Sequence, residues 1–105
     1  MTNLEKLKLL TSWDAEPSLT EDDLSELLAA TSLEDANGLA PINEEWTPTY
    51  DLNAAAAQGW LIKAGRAAAT IDTPESGPAT SKIFDNCRRM ARIYAAKRNT
   101  SMAIK

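Results

Sequence analysis

Histidine and valine are absent from the 105 residues, and cysteine and phenylalanine occur once each, as Cys87 and Phe84. Without histidine there is no base for a Ser-His-Asp or Cys-His site and no imidazole ligand for a metal. Cys87 has no partner for an internal disulfide, and it falls on the apolar stripe of a predicted helix, where a thiol packs as a small hydrophobe. The acids lack the glycine-containing ligand spacing of a calcium loop, and no glycine-rich phosphate loop is present. No catalytic residue, cofactor or metal is therefore expected, and the chain does not read as an enzyme. There is also no amino-terminal basic segment followed by a long apolar run, so a secretory signal, a membrane span and a membrane partner are not expected; the chain is expected to be made in the cytoplasm.

Apolar residues supply 44% of the sequence and charged residues 25%, a globular composition sufficient for one core. Alanine (18) and leucine (12) dominate while isoleucine is limited to six, a vocabulary that favours helix over sheet. No segment shows the strict alternation of a half-buried strand. The net charge of -4 hides a division: residues 1 to 50 carry eleven acids and two cations, and residues 51 to 105 carry four acids and nine cations. An acidic half and a basic half can meet head to tail between copies, or can be two solvated faces of one molecule.

The apolar spacing predicts a single all-α domain over 1 to 105, a small bundle of about four helices with a long irregular loop between the second and third. The first helix spans about 2 to 11, with Leu4, Leu7 and Leu10 on one side, and Pro17 breaks the helical pattern beyond it. Thr20 is the expected N-cap of the second, with Glu21, Asp22 and Asp23 at the positive end of the dipole and a stripe of Leu24, Leu27 and Leu28. Residues 31 to 48 read as a long connection carrying an Asn37-Gly38 turn signal, Pro41 and Pro48. Its Leu33, Leu39, Ile42 and Trp46 are expected to pack in part on the helices.

The third helix, about 50 to 70, places Ala57, Trp60, Leu61, Ala64, Ala68 and Ile71 on its core face. Ala55, Ile62 and Ala69 form a second apolar line, and Lys63, Arg66 and Thr70 a polar edge. A helix apolar on two sides is central in its own fold or buried against another subunit. Gly59 and the alanines around it let another backbone approach, within the domain or between copies. After a turn at 72 to 80, Ser81 or Thr80 is expected to cap a fourth helix reaching about Lys97, with Ile83, Cys87, Met90 and Tyr94 inward. Arg88, Arg89 and Arg92 lie opposite, with Asp85 spaced to pair with the first two, and residues 98 to 105 are expected to form a flexible tail. The candidate interaction residues are Trp60, Lys63, Arg66, Arg88, Arg89 and Arg92. Cations on one helical face suit DNA phosphates, as in a small DNA-associated regulator or packaging accessory factor, or the acids of a protein partner.

The stretch Trp46 to Ala68, WTPTYDLNAAAAQGWLIKAGRAA, resembles the central helix of a head-to-tail connector family of long-tailed bacteriophages. The similarity rests on Tyr50, Asp51, Leu52 and Asn53 at the helix start, the alanine run, and Trp60, Lys63 and Ala64. It extends more weakly to DLSELLAA of the second helix and to residues 87 to 94 of the fourth, and spans about four fifths of the chain. The turn at 72 to 80 departs from the aspartate-glycine turn common in that family. What the resemblance implies is a virion protein at the head-tail junction, with no catalytic residues. Its helical subunits assemble as a ring, usually dodecameric, beneath the portal protein. The ring extends the channel through which packaged double-stranded DNA passes and presents a surface to the next tail-side component.

Overall fold

A computed structural model describes residues 1 to 71 and 78 to 98, the side chains of 70, 71 and 78 to 80 excepted. Its elements are α1 (Asn3–Thr11), α2 (Glu21–Ala30), α3 (Leu52–Ile71) and α4 (Pro78–Lys97). Among the described residues there is no strand; one antiparallel bridge joins Ser32 to Tyr50. The all-α expectation and the four helices are borne out. The connection at 72 to 77 and the tail from 99 onward lie outside the described residues.

Each of the first three helices starts where a side chain can satisfy its free N–H groups. Thr2 caps α1 by accepting from the Glu5 N–H at 3.1 Å. Thr20 forms a reciprocal box at α2: its hydroxyl accepts from the Asp23 N–H at 3.0 Å, and Asp23 accepts from the Thr20 N–H at 2.8 Å. Asp51 accepts from the Ala54 N–H at 3.0 Å and thereby begins α3 at Leu52. The fourth helix starts at Pro78 rather than after Thr80 or Ser81, which corrects the expected cap. Proline lacks the N–H that a first helical position would leave unpaired.

The centre of the fold is α3, which meets all three other helices; α4 packs on α3 alone among the described helices. One core cluster joins Leu7, Leu19, Leu24, Leu27, Ala55 and Ala56. A second joins Trp60, Ala64, Cys87 and Ala91, with Phe84, Met90 and Tyr94 against it. Each fully buried leucine is worth about 1.5 to 3 kcal/mol relative to exposure, so the few large side chains matter where alanine fills most of the interface. A helix apolar on two sides is thus central in its own fold. Gly59 serves the same packing: a Cβ there would stand 2.9 Å from Thr11 Cγ2 and 3.4 Å from Leu19 Cδ1.

The stripe assigned to α3 needs correction at two positions. Leu61 is 55% exposed, and Lys63 is 1% exposed. Of the second apolar line, Ala55 is buried and Ile62 packs on the core, but Ala69 is exposed. On α4, Cys87 is buried as expected, while Ile83 is 39% exposed. The pairing expected of Asp85 is not among the described ion pairs; Arg89 instead donates to Asn86 Oδ1 at 2.7 Å.

Candidate interaction surfaces

Three donors spaced three residues apart on α3 converge on the end of α1 and the segment beyond it. Trp60 Nε1 donates to the Leu10 carbonyl at 3.0 Å. Lys63 Nζ donates to the carbonyls of Thr11 at 2.9 Å and Ser12 at 2.6 Å. Arg66 Nη1 donates to the Ser18 carbonyl at 2.7 Å and to Asp23 Oδ2 at 2.9 Å. The last carbonyls of a helix lack intrahelical partners and sit at the negative end of its dipole, so an ammonium there is doubly suited. Ser12 adopts a left-handed conformation at φ 47, and the chain turns away with no glycine cap.

The Lys63 ammonium also lies 4.5 Å from the Trp60 ring centroid. Burial pushes its pKa down, while the two carbonyls and the ring face favour the charged form. Burial likewise pushes the Cys87 thiol up, and the neighbouring Lys63 opposes that rise. Asp23 is held at about 2, first by the hydrogen bond from Arg66 and then by the Thr20 N–H. Of the six candidate residues, Trp60 and Lys63 are therefore engaged inside the subunit, and Arg66 is tied to the α2 start with part of its side chain in solvent.

Arg88, Arg89 and Arg92 are exposed on α4, as expected. Arg88 stacks over Phe84 with its guanidinium carbon 5.7 Å from the ring centroid. Beside this row, α3 and α4 leave a groove of about 190 Å³ lined by Ala57, Leu61, Arg88, Ala91, Arg92 and Ala95. Its floor is alanine, one wall is the exposed Leu61, and two arginines border it.

The loop between α2 and α3 is organised by Asp35, which sequence reasoning did not single out. Its Oδ1 accepts from the N–H groups of Asn37 and Leu39, and its Oδ2 from that of Thr47, each at 2.9 Å. These bonds, the one from Thr47 foremost, hold its carboxyl below the usual aspartate value. Trp46 Nε1 donates to the Leu33 carbonyl at 2.8 Å, and its ring meets Tyr50 edge-on at 5.7 Å between centroids. Leu33, Leu39 and Trp46 are partly buried, with the Trp46 contacts made to Leu33 and Tyr50, whereas Ile42, also expected to pack, is 95% exposed. The Asn43 N–H donates to the Ala40 carbonyl at 2.9 Å, closing a turn with Pro41 and Ile42 at its centre. Asn43 Oδ1 accepts from the Glu45 N–H at 2.8 Å and fixes the next bend.

No group of acids and cysteine among the described residues could hold a metal ion, and no described helix is long and apolar enough to cross a membrane. Compared with known proteins, the chain matches no family model, no curated relative and no solved structure.

Proposed function

We propose that this chain is a head-to-tail connector subunit of a tailed bacteriophage, a structural virion protein that forms a ring beneath the portal, extends the DNA channel and joins head to tail. The observation that carries the reading is the resemblance over Trp46 to Ala68, above all Tyr50 to Asn53 with Trp60, Lys63 and Ala64. The geometry supports it by giving these residues a common purpose: Asp51 starts α3, and Trp60 and Lys63 anchor α1 to it. A residue set that defines the scaffold is what a family of structural subunits would share.

The outward surface is consistent with assembly. Arginines and partly exposed Ile83 and Ile93 occupy α4, whereas most acids lie on α1, α2 and the loop. Rings are built from heterologous contacts, in which one face of each copy meets a different face of the next. A phage lacking this protein should assemble capsids whose heads hold DNA poorly or fail to join tails. Normal infectious particles from that knockout would overturn the proposal.

A further inference from the structure

Two features left over from the fold complement each other. One is a knob: Ile42, 95% exposed, sits at the tip of a hydrogen-bonded turn. Pro41 precedes it and presets the turn backbone, and Asp35 and Asn43 hold the loop on either side. Glu44 and Glu45 lie just beyond it in the chain, both exposed. The other is the α3–α4 groove, with an alanine floor, the exposed Leu61 as a wall, and Arg88 and Arg92 beside it.

We propose that Ile42 of one copy seats in the α3–α4 groove of a second copy, with Glu44 and Glu45 against the second copy's Arg88 and Arg92. The inference rests on the ring assembly proposed above and names its contact. Covering a branched aliphatic side chain that an ordered turn holds in water is favourable, and the groove is apolar where the knob is apolar. Charge is complementary in the same order, acids beside the knob and arginines beside the hole. The loop and the groove are different surfaces, so the contact is heterologous and can repeat from copy to copy. In the single copy Ile42 is in solvent, so its own groove is not its occupant.

The test uses the purified full chain carrying Cys87→Ala, with Ile42→Cys in one preparation and Leu61→Cys in another, mixed at high concentration with a short bis-maleimide. The mixed pair should give a covalent dimer that neither preparation gives alone. Glu44→Arg with Glu45→Arg on the Ile42→Cys chain should reduce its yield by about tenfold or more, and Arg88→Glu with Arg92→Glu on the Leu61→Cys chain should restore it. Circular dichroism of each variant establishes that it is folded. No mixed dimer, or a yield indifferent to the charge reversals, overturns the pairing. So does a Leu61→Asp chain that loses portal binding while no mixed dimer forms, since the groove then serves another protein. The connector reading stands or falls separately, on whether the protein is needed to join heads to tails.

Discussion

Lys63 Nζ, near the middle of α3, lies 2.6 Å from the carbonyl oxygen of Ser12 at the end of α1. With the second bond to Thr11 and the Trp60 ring beside it, this buried cation ends one helix and fastens it to another. Lys63→Met keeps the aliphatic stem but leaves the Thr11 carbonyl without its donor and the Ser12 carbonyl with the Ala15 N–H alone. Breaking a buried, charge-assisted contact of this kind should destabilise the fold by about 1.5 to 3 kcal/mol, read as a lower midpoint in urea. An unchanged midpoint would mean that water replaces the ammonium without loss.

Trp60 should behave in two parts. Trp60→Ala removes the ring from the α3–α4 cluster and should cost about 3 to 5 kcal/mol. Trp60→Phe retains most of the ring, loses the bond to the Leu10 carbonyl and should cost less, about 1 to 2 kcal/mol. Equal losses in the two variants, measured by thermal unfolding, would show that the indole N–H rather than the ring carries the contact.

Gly59→Ala would ordinarily stabilise a helix by about 1 kcal/mol. Here the added methyl meets Thr11 Cγ2, whose side chain is fixed by its hydroxyl bond to the Leu7 carbonyl at 2.8 Å. The expected outcome is a net loss of stability, recovered when Thr11→Ser removes the opposing methyl and keeps the hydroxyl. A stabilised single variant would show that α1 and α3 separate freely.

The Thr20 cap and the leucine stripe of α2 were legible because each depends on a few neighbouring residues, Thr20 with Asp23 and Leu24 with Leu27, whereas the cap expected of the fourth helix was misplaced. On α3 sequence reasoning placed Ala57, Trp60 and Ala64 inward correctly but misplaced Leu61 and Lys63, because apolar residues occupy nearly every side and hydrophobicity alone does not choose the buried face. That face is set by small size at Ala55, Ala56 and Gly59, and by a lysine whose partners lie about fifty positions away. The signal available was the spacing of three N–H donors, Trp60, Lys63 and Arg66, along one edge. Asp35 was not singled out: its bonds from Asn37 and Leu39 are those of an ordinary turn acid, and the one that ties the loop together comes from Thr47, twelve residues on.

Asp23 gives the fold an acid-sensitive contact. Its folded pKa of about 2 lies below the ordinary aspartate value of 3.8, so its contribution is present above about pH 4 and is lost as pH falls towards 2. Asp23→Asn should cost roughly 1 to 2 kcal/mol near neutral pH, through the helix cap and the Arg66 pair. The two proteins should converge in stability near pH 2. A gap that persists there would mean that the carboxylate charge is not what Arg66 and the Thr20 N–H recognise.

The exposed arginines of α4 separate a protein partner from DNA. Arg88→Glu with Arg92→Glu should leave the fold intact, abolish ring or portal association at low salt, and leave no duplex binding to lose; association of the parent should weaken as salt rises. Tight duplex binding by the isolated parent near physiological salt, removed by the reversal while portal assembly persists, would favour the DNA-associated reading instead.

The most direct measurement is electron cryomicroscopy of this protein assembled with the portal of the phage that encodes it. The expected result is a closed ring of copies, coaxial with the portal and below it, with α3 anchoring α1 in every subunit and the DNA channel continuing through the centre. A portal that stays bare, or a protein found singly or elsewhere on the particle, would contradict a connector role.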